Sequence, residues 1–123
     1  IRDSSNILRI RPGATLDING NNLTASTLVN NGNLQLSGSE TLSITTKDTD
    51  SGTITYDGTA TGIIYGNTYY NLALTTSGTI TLNSNLDVNG SLTITDGTLN
   101  TGNNDINVAG NWTNNDSFAN AIN

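Results

Sequence analysis

The sequence predicts an all-β fold, a parallel β-helix (β-solenoid) of about five coils of roughly 19–20 residues with one longer coil. Three observations support this: a short phrase recurs along the chain, apolar and polar residues alternate after it, and Asn, Gly, Asp and Ser are concentrated between the alternating segments. Alternation of this kind is typical of strands with one buried face. No segment has a sustained 3.6-residue period, so we expect almost no helix.

The recurring phrase is a small residue (Asp once), any residue, and then an apolar residue. Its copies begin 18, 20, 26, 19 and 19 residues apart, at Ala14, Gly32, Gly52, Gly78, Gly97 and Asp116. Up to three short strands and three corners fit in each unit, which describes one coil whose residues stack about 4.8 Å from their counterparts in the next. The 26-residue step predicts a longer coil with an insertion.

The Asn-Gly corners leave one alternative fold open. Asn19-Gly20, Asn31-Gly32 and Asn89-Gly90 lie between alternating segments, and such pairs are also typical of antiparallel hairpins. An antiparallel sandwich is therefore the alternative. A meander would not impose a period near 19, and this favours the solenoid.

A solenoid suits a chain in which only 33% of residues are hydrophobic, because neighbouring coils complete the burial of each strand. We expect these apolar side chains to point inward: Leu34, Leu36, Ile80, Leu82 and Leu99. We expect these threonines to point outward: Thr53, Thr79 and Thr81.

The whole chain, residues 1–123, is predicted to be a single solenoid domain. Residues 1–12 would be the closing strand of an incomplete coil, 13–115 the full coils, and 116–123 the start of a further coil. Open solenoid ends present unpaired backbone edges that can template another strand. We expect Ile7, Leu8, Ile10 and Phe118 to be assembly contacts, either between subunits stacked head to tail or within a longer chain.

Charge and composition exclude several functional classes. Ten acidic and four basic residues give a net charge of -6, and so few Lys and Arg do not form a nucleic-acid interface. Without Cys or His, the commonest zinc sites and thiol or Ser-His catalysis are excluded. No apolar run approaches the ~18 residues of a membrane helix, so we expect no membrane insertion.

The densest acidic run is Asp48-Thr49-Asp50, with Asp57 nearby, and Glu40 is the only Glu. These residues could form a calcium site or a glycosidase pair, or they could be corner carboxylates that bind backbone amides. No Gly-Gly-x-Gly-x-Asp calcium repeat is present, which favours the corner interpretation. We therefore expect no metal, no cofactor and no enzymatic activity.

All four Tyr residues lie between Tyr56 and Tyr70, in the unit predicted to be longer. Insertions in solenoids form loops on one face, so Tyr65, Tyr69 and Tyr70 are candidate surface contacts for a glycan or another partner. The alternative is that these rings fold the insertion back onto the coil.

Three Thr-x-Thr pairs suggest a further alternative, an ice-binding solenoid. The pairs begin at Thr53, Thr79 and Thr93, and we expect the first two to occupy equivalent positions on successive coils. Other coils place Asn, Gln or Asp at the matching positions, which is too irregular for a flat ladder of threonines.

Residues 69–118 contain Tyr-Tyr-Asn-Leu-Ala-Leu, Gly-Thr-Ile-Thr-Leu, Asp-Val-Asn-Gly-Ser-Leu-Thr-Ile, Gly-Thr-Leu-Asn-Thr-Gly and Ile-Asn-Val-Ala-Gly-Asn-Trp-Thr-Asn-Asn. This pattern resembles the Gly/Asn/Thr-rich parallel β-helix repeats of large secreted bacterial surface proteins and adhesins. The resemblance implies a rigid rod or stalk, extracellular or on the cell surface. We expect a non-enzymatic structural element or filament subunit. A carbohydrate-binding or carbohydrate-cleaving β-helix is the alternative.

Overall fold

The computed structural model describes residues 5–119, and all regular secondary structure in this range is β. None of these residues belongs to a helix, so this part of the chain contains no helix that could cross a membrane. The strands are β1 (Ile7–Ile10), β2 (Thr15–Asp17), β3 (Leu23–Asn30), β4 (Asn33–Leu36), β5 (Leu42–Thr46), β6 (Thr53–Tyr56), β7 (Thr68–Tyr69), β8 (Asn71–Thr81), β9 (Leu86–Val88), β10 (Leu92–Asn100), β11 (Ile106–Val108), β12 (Trp112–Asn114) and β13 (Ser117–Ala119).

Every pair among these strands is parallel, and paired residues lie 18 to 21 positions apart in the sequence. One sheet stacks a strand from each successive turn, in the order β2-β4-β6-β8-β10-β12. We call it the long sheet. There are two shorter sheets, β1-β3-β5 and β7-β9-β11. Within each turn, the strand of the shorter sheet comes directly before the strand of the long sheet. The chain therefore forms a parallel β-solenoid, which confirms the predicted fold class and excludes the antiparallel alternative.

Strands β3, β8 and β10 are long because each continues around a corner of the solenoid. In β10, residues 92–94 pair with β12, whereas residues 98–100 pair with β13. The register shifts between these two parts, next to Gly97, whose φ is +91°. A Cβ atom at Gly97 would also clash with the carbonyl oxygen of Thr76 one turn away, so the corner requires glycine.

The core consists of columns of inward side chains that run from turn to turn. In the long sheet, one column contains Leu34, Ile54, Leu72 and Leu92, all buried and in register. The five side chains predicted to point inward, Leu34, Leu36, Ile80, Leu82 and Leu99, are all buried. Of the three predicted outward threonines, Thr79 and Thr81 are exposed and Thr53 is half-buried. Burial of each Leu or Ile stabilises the fold by about 1.5–3 kcal/mol, less the entropy of ordering it.

The predicted longer coil is wrong, and the solenoid has about six turns, not five. Thr53 pairs with Asn71, 18 residues on, whereas Thr79 pairs with Thr98. The recurring phrase therefore lies on the long sheet in the first turns and on the following face from Gly78 onward. The phrase marks the point where the chain enters a strand, and a strand on any face of the solenoid can begin with it. The 26-residue step from Gly52 to Gly78 is therefore the point at which the phrase moves from one face to the next.

We predict that Leu82→Ala lowers the free energy of unfolding by about 2–5 kcal/mol, because it leaves a cavity in a core column. The neighbouring exposed residue provides the control: Thr81→Val keeps the β-branch and should change stability by no more than about 0.5 kcal/mol. Urea unfolding followed by circular dichroism measures both. Equal losses from the two variants would contradict the inward assignment of Leu82.

Candidate functional site

Glu40 joins two successive turns through a buried carboxylate at the corner between β4 and β5. Its Oε1 accepts hydrogen bonds from the backbone N–H of Gly20, one turn earlier, at 3.0 Å and from the N–H of Ser37 at 2.6 Å. The Ser37 hydroxyl also donates to Oε1, and the Gly38 N–H donates to Oε2. Burial alone would raise the pKa of Glu40, but these hydrogen bonds outweigh it, and the pKa lies below its ordinary value.

Asp48 has the same role between the second and third turns. Its Oδ2 accepts hydrogen bonds from the Asn30 N–H at 2.7 Å and from the Ser51 hydroxyl at 2.9 Å, and its Oδ1 accepts from the N–H groups of Asp50 and Ser51. Burial opposes ionisation, but the hydrogen bonds prevail and lower the pKa of Asp48. The Asp50 carboxyl is fully exposed, and its pKa is raised by a hydrogen bond to Asp48 and by the charge of Asp48.

The acidic run therefore has the geometry of corner carboxylates. Both oxygens of Asp48 are engaged by donors of the protein itself. Within residues 5–119, no three His, Cys, Asp or Glu side chains come together in a way that could hold a metal ion. Asp57 lies elsewhere, beside Gln35, whose side-chain amide donates to it at 3.3 Å. Burial and the charges of Asp17 and Glu40 raise the pKa of Asp57.

Asparagine side chains make the same kind of connection at other corners. Asn22 Oδ1 accepts from the Thr41 N–H at 2.8 Å, Asn71 Oδ1 from the Ser91 N–H at 2.9 Å, and Asn85 Oδ1 from the Asp105 N–H at 3.0 Å. Each bond spans 19 or 20 residues, which is one turn. Asn89 Nδ2 reaches further and donates to the Thr49 carbonyl, 40 residues away in sequence. The high Asn content of the chain is thus explained in part by bonds between turns.

Three of the four tyrosines form a hydrogen-bonded cluster inside the solenoid. The hydroxyl of Tyr56 lies 3.1 Å from the hydroxyl of Tyr69 and accepts from the N–H groups of Ile64 and Tyr65 at 2.9 and 2.8 Å. Tyr69 donates to the Gly66 carbonyl, and Tyr65 donates to the carbonyl of Asp48, both at 2.7 Å. We call Tyr56, Tyr65 and Tyr69 the tyrosine cluster. Burial is the main cause that raises the pKa of each of these phenols.

The prediction of a surface aromatic contact is wrong for Tyr65 and Tyr69, which are only 1% and 0% exposed. No insertion separates these residues from the coil, so both rings occupy interior positions. Their ring centres lie 5.6 Å apart. Tyr70 is 39% exposed and is the member of the predicted trio that lies on the surface. The Lys47 ammonium lies 5.6 Å from the centre of the Tyr65 ring.

The threonine pairs do not form a ladder. Thr53 and Thr55 stack on Asn71 and Ala73, and Ala73 in turn stacks on Thr93. The expectation that Thr53 and Thr79 occupy equivalent positions is wrong, because they lie on different faces. Asn71 and Ala73 interrupt the threonines of the long sheet, so its outward positions lack the regular threonine ladder of the ice-binding alternative.

The two ends of the solenoid differ in shape. In the first turn, Leu8 and Ile10 are only 6% and 4% exposed, so their side chains belong to the core of their own chain, and their role as assembly contacts stays a prediction. Ile7 is half-buried. A hollow of about 260 Å3 lies beside them, lined by Leu8, Arg9, Ile10, Arg11, Ala14, Thr15 and Leu16.

The last turn exposes large aromatic side chains. Trp112 in β12 is 42% exposed and Phe118 in β13 is 41% exposed, and the two rings pack edge to face with centres 5.1 Å apart. Phe118 was predicted as a contact from its position in the repeat. Trp112 was not, although it stacks directly on Leu92 and ends the same apolar column.

A wider depression of about 500 Å3 lies beside β3 and β5. It is lined by Thr24, Ser26, Ser43 and Thr45 among others, and none of its lining residues is titratable. A groove of about 440 Å3 beside residues 46–51 includes Lys47, Asp48 and Asp50, but Asp48 is held by the corner bonds described above.

Compared with family models, curated proteins and solved structures, the chain gives no match.

We predict that Tyr56→Phe lowers the free energy of unfolding by about 2–4 kcal/mol, because it leaves the N–H groups of Ile64 and Tyr65 without their acceptor and an unsatisfied buried donor costs roughly 1–3 kcal/mol. Tyr70→Phe removes the same atom from an exposed ring and should have an effect within about 0.5 kcal/mol. Urea unfolding of both variants measures the difference. A Tyr56→Phe variant as stable as the wild type would show that the cluster is not structural.

We also predict that Glu40 and Asp48 make the fold sensitive to acid. Their folded-state pKa values are lowered, so their contribution is present above the unfolded-state values of about 4 and is lost as the pH falls from about 5 to about 3. The raised pKa values of Asp50 and Asp57 stabilise the fold as the pH falls and so oppose this effect. The contribution of Glu40 and Asp48 is therefore measured by comparing each variant with the wild type. Urea midpoints measured from pH 7 to pH 3 should fall less steeply in Glu40→Gln and Asp48→Asn than in the wild type. Asp87→Asn, which removes one carboxylate at an exposed position on β9, is the control for the loss of a charge.

Proposed function

We propose that this chain is a non-enzymatic structural element, a section of a rigid rod outside the cell or on its surface. The observation that carries the proposal is the uninterrupted parallel stack of about six turns. At about 4.8 Å per turn, the stack extends about 29 Å along its axis. A solenoid lengthens by adding turns and leaves its cross-section unchanged, so it is suited to a rod or a stalk.

The chemistry of the polar side chains supports a structural function. Glu40, Asp48 and the tyrosine cluster have environments that shift their pKa values, and such residues are the usual candidates for catalysis. In this structure, their polar atoms are bound to backbone groups of their own or neighbouring turns. They act as links between parts of the solenoid. The location outside the cell is supported by the resemblance of residues 69–118 to repeats of secreted bacterial surface proteins.

Surface labelling tests the proposed location. Antibodies raised against the chain should bind intact cells of the organism that encodes it, and protease added to intact cells should remove the signal. Labelling that appears only after the cells are permeabilised would contradict the proposal.

Incubation with polysaccharides tests the absence of catalysis. The purified chain should release no reducing ends or unsaturated sugars from pectin, alginate or surface glycans. Asp50→Asn is the informative variant, because Asp50 is exposed and its pKa is raised beside Asp48. Turnover by the wild type that disappears in Asp50→Asn would replace the structural function with an enzymatic one.

A further inference from the structure

Three Asn-Gly pairs lie at corners of the solenoid, Asn19-Gly20, Asn31-Gly32 and Asn89-Gly90. This pair is the one most prone to spontaneous deamidation, because glycine has no Cβ that would obstruct the approach of its own nitrogen. In the reaction, the glycine nitrogen forms a bond to the asparagine Cγ, the bond from Cγ to Nδ2 breaks, and ammonia leaves with the amide proton. Water then opens the succinimide ring and leaves aspartate or isoaspartate.

The hydrogen bond of the glycine N–H controls this reaction in a folded chain. A bound N–H keeps its proton and is fixed in one plane, so the nitrogen does not reach Cγ until the hydrogen bond opens. The Gly90 N–H donates to the Tyr70 carbonyl of the preceding turn at 2.7 Å. The Gly32 N–H donates to Asn30 Oδ1 at 3.2 Å, and Asn30 is only 1% exposed. Both amides are therefore held by the backbone or by a buried side chain.

Gly20 is held in a different way. Its N–H donates to Oε1 of Glu40, a side chain of the following turn, at 3.0 Å. Outside its immediate chain neighbours, a Cβ atom at Gly20 would meet no atom closer than the Ser39 Oγ, at 3.5 Å. At Gly32 and Gly90, a Cβ atom would overlap atoms of an adjacent turn. The backbone at Gly20 is thus less tightly packed, and the Glu40 carboxylate is the group that keeps its N–H in place.

We propose that Asn19 is a latent deamidation site and that Glu40 suppresses the reaction by holding the Gly20 N–H. When this contact opens, the Gly20 nitrogen attacks Asn19 Cγ, ammonia leaves, and water opens the ring. Burial opposes ionisation of Glu40, but its hydrogen bonds keep its pKa below the ordinary value, so the acceptor is charged at the neutral and alkaline pH at which deamidation is fast. Opening one side-chain contact frees Gly20, whereas Gly90 is freed only when two turns separate.

The product differs from asparagine in charge and in length. Isoaspartate routes the main chain through the former side chain, which adds a methylene between β2 and β3. The new carboxylate lies next to Asp17, whose Oδ1 accepts the Asn19 N–H at 2.8 Å. A longer corner and a like charge both oppose the stacking of the turns, so deamidation of Asn19 destabilises the fold. Glu40 therefore protects the chemical lifetime of the chain as well as the contact between its turns.

Peptide mass spectrometry of the folded chain, incubated at mildly alkaline pH, tests the proposal by measuring deamidation at each Asn-Gly pair separately. In the wild type, Asn19 should react at least about tenfold more slowly than in the urea-unfolded chain, because a hydrogen bond to a charged group keeps the corner closed in most molecules. In Glu40→Ala, the rate at Asn19 should rise at least about tenfold, whereas Asn31 and Asn89 keep their wild-type rates. A folded Glu40→Ala variant with an unchanged rate at Asn19 would overturn the proposal.

Asp48→Ala provides the matched control. Asp48, like Glu40, accepts four of the hydrogen bonds described above, including one from the N–H of the preceding turn. Its loss should lower the stability by a similar amount and leave the rate at Asn19 unchanged. Circular dichroism gives the folded fraction of both variants. If Asp48→Ala accelerates the reaction at Asn19 as much as Glu40→Ala does, the effect is a general loosening and the assigned role of Glu40 is wrong.

Amide hydrogen exchange of the folded wild type tests the same contact without a variant. The Gly20 N–H should exchange at least about tenfold more slowly than the same amide in an unfolded peptide. A Gly20 N–H that exchanges at the unfolded rate would contradict the proposal, even if Glu40→Ala did not fold. None of these measurements depends on where the chain acts, so their outcome and that of the surface labelling are independent.

Discussion

The whole structure depends on hydrogen bonds between residues one turn apart. Each short strand has only one apolar face and two to four residues on each side of a corner, too few to fold alone. Its backbone groups are satisfied because the next turn presents the same strand in parallel, as β4 does for β6 and β6 for β8. The spacing of 18 to 21 residues is therefore a condition of stability, and a turn of another length would leave its neighbours without partners.

Corners are where this condition is hardest to meet, because the chain leaves the sheets there. The sequence supplies side-chain acceptors at these points. Glu40 and Asp48 bind backbone N–H groups of the turn before them, and Asn22, Asn71 and Asn85 bind those of the turn after. Within residues 5–119, no buried side-chain nitrogen or oxygen lacks a hydrogen-bond partner. A chain with a thin apolar core thus gains specificity from polar contacts that recur with the period of the fold.

The parallel solenoid could be predicted from the sequence because alternation, corner residues and a period near 19 all reflect local requirements. The inward positions of Leu34 and Leu99 follow from alternation alone. The face on which a strand lies could not be predicted in this way, because Gly52-Thr53-Ile54 and Gly78-Thr79-Ile80 have the same pattern and lie on different faces. This error made Tyr65 and Tyr69 candidate surface contacts, with packing back onto the coil as the alternative. Their buried hydroxyls find partners only in the folded chain, and nothing in the local sequence indicates those partners.

The segment between β6 and β7, residues 57–67, is the longest stretch without a strand in the part of the chain that the structure describes. Under tension along the axis, the turns of a solenoid carry the load in series, so the turn with the fewest backbone bonds yields first. Two N–H groups of this segment are bound to the Tyr56 hydroxyl, and Asn89 bridges past this turn to Thr49. These side chains therefore reinforce the turn that contains the longest segment without a strand, which is where we expect the solenoid to extend before the aliphatic columns on either side separate.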